Sequence, residues 1–290
     1  MEIVRLPDVA RRERKVAVGT FDGVHLGHRK VIEGSDSVLT FEPHPVSIVA
    51  PQHAPKLLTP LEVKAELIAE LGVAELIVIP FDRAFAQRTA SEFVDGVLVG
   101  ALGATRVAVG ENFRFGHRAQ GDTHLLTADP RFQTVVQPLL EVDGEIVSSS
   151  HIRGLVAAGE VDQATRFLGA PFQLRGEVVH GDKRGRELDF PTANLIPEEA
   201  IVCPGHGIYA CRADGHAAAV SIGVRPTFKT GRAELIEAFL LDFQGDLYGH
   251  TLRLDFLQRL RGERRFDSAA ALIEQMHRDV EQTRAVVAAS

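Results

Sequence analysis

The chain has 290 residues, of which 45% are hydrophobic and 24% are charged, as is ordinary for a soluble globular protein. This composition excludes the disordered, collagen-like and coiled-coil classes, and the length suits two domains that each bury a core. The formal net charge of −7 excludes the broad basic surface of a general nucleic-acid binder.

The N-terminal sequence and the cysteines indicate where the protein works. The first 15 residues hold several charges and no apolar stretch of the signal-peptide type, and no uncharged run approaches 18 residues. Cys203 and Cys211 form no C-x-x-C pair and no zinc-ligand spacing with the 12 histidines. We therefore expect a cytoplasmic protein without a membrane span, a disulfide framework or a zinc site.

The first half of the chain alternates strand and helix patterns. A helix capped by Thr59 is predicted to end before Gly72, and a second helix is predicted to begin at Ser91 and to end before Gly103. Repeated βαβ units predict a doubly wound parallel sheet, whose ligand cleft lies beyond the carboxyl ends of its strands. The predicted strands are 15–21, 37–41, 76–81, 106–110 and 134–140.

The pattern changes after a predicted helix over 152–168. From there the periodicity is two, with turns that contain glycine and proline, and a last helix begins near Ser268. This predicts a small antiparallel β-barrel followed by a C-terminal helix. We expect the domains to be 1–168 and 169–290. The predicted barrel strands are 173–180, 207–213, 217–222, 235–243 and 251–256.

The most specific stretch is the loop after the first strand, G-T-F-D-G-V-H-L-G-H over 19–28. His25, Gly27 and His28 form H-x-G-H where a strand passes into a helix. Glycine lets a phosphate approach the backbone, and a helix start favours anions. Two imidazoles there can donate hydrogen bonds to phosphate oxygens as charge develops. A tight turn with two surface histidines explains H-x-G-H alone about equally well, but its place after a strand favours function.

Three further segments fall at strand ends or helix starts of the first half. They are F-E-P-H-P over 41–45, G-E-N-F-R-F-G over 110–116 and S-S-S-H-I-R over 148–153. Hydroxyls and an arginine at a helix start can bind phosphates, although serines at such places are usually only helix caps. Because all three coincide with the expected cleft, they predict a nucleotide site.

The second half contains a glycine- and cation-rich loop over 180–186, followed by P-T-A-N over 191–194. Thr192 and Asn194 lie two residues apart on an extended segment, so they face one side and offer Mg²⁺ hard oxygen ligands. In isolation P-T-A-N is more often a turn with proline; the neighbouring loop favours phosphate binding. Glu237 is an acid flanked by apolar residues on a predicted core strand.

Together these motifs resemble the bacterial bifunctional riboflavin kinase/FMN adenylyltransferase (FAD synthetase) family over nearly the whole chain. The resemblance implies a first domain of the H-x-G-H nucleotidyltransferase superfamily, which joins FMN to the AMP part of ATP and releases pyrophosphate. It implies a second domain that phosphorylates riboflavin with ATP. ATP, riboflavin and FMN are then substrates and Mg²⁺ the cofactor, with no nucleic-acid or membrane partner, and the oligomeric state stays open.

The resemblance also implies roles for individual residues. Glu237 is the base for the riboflavin 5′-hydroxyl, and Thr192 and Asn194 hold Mg²⁺. His25 and His28 are the catalytic residues of the adenylyltransferase. The residues expected to bind ATP in the adenylyltransferase are Gly19, Phe21, Asp22, Gly27, Asn112, Ser149, Ser150 and Arg153. Those expected to bind ATP phosphates in the kinase are Gly181, Lys183, Gly185 and Arg186.

The sequence departs from the family pattern in both halves. The stretch 29–37, which leads from H-x-G-H into the next strand, is only nine residues long, whereas the family usually has a full helix there. We expect a helix of about two turns and a less covered sheet face. Ser150 and His151 stand in place of Thr and Arg, and Asp189 and Ser221 in place of Gly and Asn.

These departures leave three alternatives open. The first is that only one of the two activities is retained. The second is a non-catalytic regulator that binds flavin or nucleotide. The third, an RNA-handling H-x-G-H protein, is disfavoured by the acidic charge and by the absence of an anticodon-binding extension.

Overall fold

The computed structural model describes residues 1–179, 192–225 and 233–290. The chain divides into two compact units, Met1–Ser149 and Ser150–Ser290. The predicted kinase phosphate loop, with Gly181, Lys183, Gly185 and Arg186, lies outside the described residues, as does the departure at Asp189. None of the described helices is both long enough and apolar enough to cross a membrane.

Six described strands of the first unit form one parallel sheet in the order β1-β4-β3-β2-β5-β6. The predicted doubly wound parallel sheet is confirmed, with β1 as an additional edge strand that the sequence pattern did not predict. The chain runs outward from β2 in one direction through β3 and β4, and in the other through β5 and β6. The strands are β1 (Glu2–Arg5), β2 (Arg14–Val18), β3 (Ser37–Glu42), β4 (Glu75–Pro80), β5 (Ala104–Gly110) and β6 (Gln133–Gln137).

Helices cover both faces of this sheet. Val31, Ile32 and Ile68 pack on one face, and Phe93 and Val97 pack on the other. The helices are α1 (Leu26–Ile32), α2 (Pro45–Val49), α3 (Leu61–Ala69), α4 (Arg83–Ala86), α5 (Ala90–Glu92), which continues as a π-helical segment Phe93–Ala101, and α6 (Thr123–Thr127). A short hairpin of β7 (Glu141–Val142) and β8 (Glu145–Ile146) follows the sheet.

The predicted starts of two helices are wrong. The Thr59 hydroxyl accepts a hydrogen bond from the Gly23 N–H at 3.1 Å, and within the described chain no side chain caps α3, which begins at Leu61. The next helix begins earlier than Ser91, because Thr89 and Glu92 form a capping box. The hydroxyl of Thr59 is thus bonded to the H-x-G-H loop instead of its own helix.

The shortened first crossover forms the helix of two turns that the sequence predicts. Arg106 on β5 caps its end, donating to the carbonyl oxygens of Gly34 at 3.2 Å and Glu33 at 3.4 Å, and to the Ser35 hydroxyl at 3.3 Å. A cation is favourable at the carbonyl end of a helix. The neighbouring side chain on this sheet face, Lys15, is exposed. Charged side chains therefore occupy this part of the sheet face.

The second unit begins with two helices, α7 (Ser149–Ala158) and α8 (Val161–Leu168). The prediction of one helix over 152–168 is wrong because Gly159 adopts a left-handed φ of 84°. A side chain there would also meet the Tyr209 hydroxyl at 2.6 Å from its Cβ. Helix α8 packs against the strands that follow it.

Six described strands of the second unit close into an antiparallel barrel in the order β10-β13-β12-β11-β14-β9. Helix α9 (Ala269–Ala289), capped by Ser268, packs on β11, β12 and β14. The predicted barrel and C-terminal helix are confirmed. The strands are β9 (Phe172–Val179), β10 (Ala193–Pro197), β11 (Gly207–Ala213), β12 (His216–Arg225), β13 (Ala233–Leu240) and β14 (Thr251–Arg261).

Candidate active sites

The strand order of the first unit brings two of the predicted motifs together. Strands β2 and β5 are parallel neighbours, and the strand order reverses between them. Ligands of doubly wound sheets bind in the crevice beyond the strand ends at such a point. The H-x-G-H loop follows β2 and the G-E-N-F-R-F-G segment follows β5, so both motifs border this crevice.

A cavity of about 920 Å³ lies at this place. Gly19, Phe21 and His28 line it from the first loop, and Asn112 lines it from the second. An aromatic wall and a group of cations complete it, a combination that suits a ligand with both a planar ring and phosphate groups. The aromatic wall consists of Phe41, Phe81, Phe85, Phe93, Phe113 and Phe115, and the cations are Arg83, Arg88, Arg114 and Arg118.

The H-x-G-H loop has a strained backbone that hydrogen bonds hold in place. Phe21 and Val24 have φ values of 49° and 41°, which are costly for side chains of this size. The Asp22 carboxylate accepts hydrogen bonds from the backbone N–H of Leu58 at 2.8 Å and of Thr59 at 3.2 Å. These bonds stabilise the loop, so the structure gives Asp22 an anchoring position.

The two histidines of the motif stack on each other. Their ring centroids are 3.5 Å apart and their planes differ by 15°. His25 is buried and caps α1, because its Nδ1 accepts a hydrogen bond from the His28 N–H at 3.2 Å. A neutral imidazole that accepts through Nδ1 carries its proton on Nε2. His25 therefore has an Nε2–H donor, while the ring of His28 lines the cavity.

His28 is neutral at physiological pH. Burial, and then electrostatic interaction with the neighbouring His25 and Lys64, hold the pKa of His28 well below its ordinary range. Its Nδ1 is buried without a hydrogen-bond partner among the described residues. A lone pair at that position is less costly than an unsatisfied N–H, so we place the proton on Nε2.

Lys64 is a buried lysine that the sequence analysis missed. It lies on α3 and is 4% exposed. Burial lowers the pKa of Lys64, while the charges of Asp22 and Glu42 act in the opposite direction. The available sequence signal was a lysine that follows Val63 within the apolar pattern of a predicted helix.

The glycines of the loop serve packing as well as ligand access. A Cβ on Gly27 would lie 3.3 Å from the ring of His25, and a Cβ on Gly19 would lie 3.0 Å from the ring of Phe21. Both distances are tighter than ordinary contacts. Gly19 lines the cavity, whereas Gly27 supports the position of the His25 ring.

The serine segment spans the division between the units. On the side of the first unit, the Ser149 hydroxyl donates to the Asp22 carbonyl oxygen at 2.9 Å and so joins the H-x-G-H loop. On the side of the second unit, Arg153 donates to the Ser150 hydroxyl at 3.0 Å. The ring of His151 packs edge-on against that of Phe167, with 4.9 Å between the ring centroids. The histidine that departs from the family pattern therefore has a packing role.

The barrel brings the predicted kinase residues into one row. Asn194 on β10 is paired with Glu237 on β13, and Glu237 is paired with Ser221 on β12. Directly paired residues point to the same face of a sheet. Their chain neighbours Leu195, Ile236 and Ile222 are buried, so the row lies on the outer face of the barrel.

Thr192 lies just before β10 and does not belong to a strand. It precedes Asn194 by two residues and is half-buried. Among the described residues, no group of three or more His, Cys, Asp or Glu side chains could hold a metal alone. One hydroxyl and one amide oxygen nevertheless fit Mg²⁺, which takes a few protein ligands together with substrate phosphates.

The two halves of the chain match two family models, FAD synthetase over residues 8–151 and riboflavin kinase over residues 168–287. The bifunctional riboflavin kinase/FMN adenylyltransferase of Listeria monocytogenes is 37% identical, with 94% of this chain and 92% of that protein covered. The protein of that description from Bacillus subtilis is 36% identical, with 92% and 90% covered. The chain belongs to the bifunctional riboflavin kinase/FMN adenylyltransferase family.

A solved structure is similar to this member of the family over its whole length. It is named a macrolide-efflux protein from Streptococcus pneumoniae, and its TM-score is 0.90 at 29% identity. The match covers 98% of this chain and 99% of that chain. The similarity therefore includes both the parallel sheet and the barrel.

Proposed function

We propose that the protein converts riboflavin to FAD in two ATP-dependent reactions at two separate sites. In the second unit, the γ-phosphoryl group of ATP passes to the riboflavin 5′-hydroxyl and gives FMN and ADP. In the first unit, FMN and ATP give FAD and pyrophosphate. The observation that carries the second reaction is the stacked pair His25 and His28 beside an aromatic cavity at the β2–β5 crevice.

In the adenylyltransferase site, a phosphate oxygen of FMN attacks the α-phosphorus of ATP, and the bond to the β-phosphate oxygen breaks. The FMN phosphate is already a nucleophile, so binding supplies proximity and no covalent enzyme intermediate is required. The Nε2–H groups of His25 and His28 donate to the phosphate oxygens, on which negative charge increases in the transition state. Oriented donors in a partly buried site stabilise that charge without reorganisation.

The other residues of this site have supporting roles in the proposal. The phenylalanine wall receives the flavin ring, since planar aromatic groups stack favourably. Asp22 keeps the loop in its strained conformation. The residues proposed to surround ATP are Gly19, Phe21, Gly27, Asn112, Ser149, Ser150 and Arg153.

In the kinase site, Glu237 accepts the proton of the riboflavin 5′-hydroxyl while the oxygen attacks the γ-phosphorus and ADP leaves. Thr192 and Asn194 would hold Mg²⁺, which supplies neutralisation of the phosphate charge when it is bound. Glycine and cation side chains suit the ATP phosphates. The residues proposed for that role are Gly181, Lys183, Gly185 and Arg186.

We also propose a compartment, a set of partners and a domain boundary for the two reactions. The protein works in the cytoplasm on the small molecules ATP, riboflavin and FMN, without a nucleic-acid or membrane partner. The two activities divide at 168/169, so that 1–168 is the adenylyltransferase domain and 169–290 the kinase domain. The match to the riboflavin kinase family model starts at residue 168, which supports this division.

The experiment is to incubate the full chain with riboflavin, ATP and Mg²⁺ and to separate the flavins by chromatography over time. We expect FMN to form first and FAD to follow, with ADP and pyrophosphate as co-products. FMN without FAD would remove the first-unit activity from the proposal. Conversion of added FMN to FAD with riboflavin left unchanged would remove the kinase activity, and flavin binding without any turnover would favour a regulator.

A further inference from the structure

The face of helix α9 that packs on the barrel contains a row of buried polar side chains. Gln275, Asp279 and Thr283 follow one another at intervals of four residues and are 8%, 4% and 0% exposed. The predicted apolar stripe of this helix, which includes Met276 and Val280, is only half-buried. Helix faces that pack on a core are usually apolar, so the position of these polar groups requires a separate explanation.

Asp279 makes a two-point contact with the end of β14. The Arg261 guanidinium donates through Nη2 to Oδ2 at 2.8 Å and through Nε to Oδ1 at 3.1 Å. The Gln275 amide also donates to Oδ1, at 2.8 Å. A bidentate pair of this kind fixes direction as well as distance.

Gln275 and an aromatic ring extend this contact to the residues that follow β14. Gln275 accepts a hydrogen bond from Arg264. The ring of Phe266 contacts two guanidinium groups, that of Arg261 at 5.7 Å and that of Arg264 at 4.7 Å. The exit segment, defined as residues 261–266, is thereby attached to helix α9 at several points.

The exit segment lies over the outer barrel face near Glu237. A Cβ on Gly223 would be only 2.5 Å from Oε1 of Glu263, so this carboxylate rests directly on β12. Gly223 is two residues from Ser221 and therefore on the same face. Ser221 is in turn the paired neighbour of Glu237.

The direction of phosphoryl transfer indicates what this part of the face binds. Glu237 stands between Asn194 on one side and Ser221 on the other. The Mg²⁺ and ATP phosphates are proposed on the Asn194 side. Because attacking and leaving oxygens lie roughly in line across the γ-phosphorus, the acceptor alcohol belongs on the Ser221 side, where Glu263 of the exit segment lies on β12.

We propose that Asp279 is a positioning residue for riboflavin in the kinase reaction, acting through Arg261 and Gln275 to hold the exit segment against the barrel beside Glu237. This inference rests on the proposed kinase function. Apolar packing of α9 would dock the helix equally well. The Asp279 carboxylate also fixes the orientation of the Arg261 guanidinium directly, and that of Arg264 through Gln275.

The test is Asp279→Asn in the full chain. The amide keeps the shape of the side chain but leaves the Arg261 guanidinium without its counter-charge. We expect the KM for riboflavin to rise about tenfold, as for the loss of one charge-assisted contact. The KM for ATP and the rate of FMN adenylylation should stay at their unmodified values.

Arg284→Gln is the matched control. Arg284 is on the same helix and pairs with Asp242 through two bonds of 2.6 and 2.9 Å, but this pair joins α9 to the end of β13. It should leave the riboflavin KM unchanged. A thermal melt of each variant shows whether the barrel is folded.

Gln275→Met decides the question if Asp279→Asn folds poorly. This variant keeps the Arg261–Asp279 pair and the side-chain volume, and it removes the hydrogen bonds of Gln275 to Arg264 and to Asp279. A rise in the riboflavin KM alone supports positioning. An unchanged riboflavin KM in the folded variants, or an equal rise in the KM for ATP, overturns it. Absence of riboflavin phosphorylation in the unmodified chain would instead refute the proposed kinase function.

Discussion

His25 and His28 belong to one motif but have different environments. His25 caps a helix through Nδ1, whereas His28 lines the cavity and is kept neutral by burial and by the nearby charge of Lys64. A neutral imidazole donates a hydrogen bond without first taking up a proton. The adenylyltransferase is therefore expected to work without protonation of His28, through the physiological pH range.

Replacing Lys64 with Met tests this electrostatic arrangement. It removes a positive charge that lowers the pKa of His28, so the pKa of His28 should rise and the charged form should persist to higher pH. The His28 ring signal in an NMR titration measures this directly. The pH profile of FMN adenylylation should change at its acid end, and that of riboflavin phosphorylation should not.

Lys30→Met is the control for that change. Lys30 is on the same helix as His28, but its side chain is 58% exposed and pairs with Glu33. Solvent screens such a charge, so the titration of His28 should match that of the unmodified protein. A Lys64→Met variant that also titrates like the unmodified protein would show that Lys64 has no electrostatic effect on His28.

At the scale of the element, the sequence predicted strands better than helix ends. Strand β11 has the predicted bounds because Gly205 precedes it and a turn at Asp214 and Gly215 ends it. Strand β1 was missed because it has four residues, largely exposed, and no alternating burial. Thr59 was misassigned because a distant backbone N–H takes its hydroxyl. No local pattern contains that information.

Arg106→Ala tests whether the shortened crossover depends on its cation. The variant loses three hydrogen bonds to the end of α1. We expect the free energy of unfolding to fall by about 1 kcal/mol, as for a helix-terminal cation with partly exposed bonds. Urea unfolding followed by circular dichroism measures the change.

Lys15→Ala provides the comparison for Arg106→Ala. Lys15 lies on the same sheet face and its side chain is exposed. A surface substitution of this kind changes stability by less than about 0.5 kcal/mol. Equal stability of the two variants would mean that Arg106 does not support the crossover.

At the scale of the whole molecule, the motifs were predictable and their surroundings were not. H-x-G-H and P-T-A-N are local patterns; His28 of the first lines the cavity, and Asn194 of the second is paired with Glu237. The cavity wall draws on Phe41, Phe85 and Phe115, which are far apart in the chain and meet only through the strand order. Long-range contacts of this kind depend on the packed topology, and a single sequence does not encode them as a periodicity.

Two single substitutions should separate the two activities within one chain. Glu237→Gln removes the proposed base and should slow riboflavin phosphorylation by about 10²–10⁴ while FMN adenylylation continues. His28→Ala removes a charge-stabilising donor and should slow FMN adenylylation by about 10²–10³ while phosphorylation continues. The assay supplies riboflavin or FMN to each variant in turn. Loss of both activities in either folded variant would contradict two independent sites.

Asn194, Glu237 and Ser221 face outward in one row only when the strands are paired in the correct register. Kinase activity therefore depends on that register. A slip of one residue in β13 exchanges its two faces, so Glu237 would enter a barrel interior filled by Leu195 and Ile222. An unpaired carboxylate is costly there. A misaligned barrel would lose both its catalytic base and its apolar core. Selection for riboflavin turnover would therefore also select against misfolded copies of this domain.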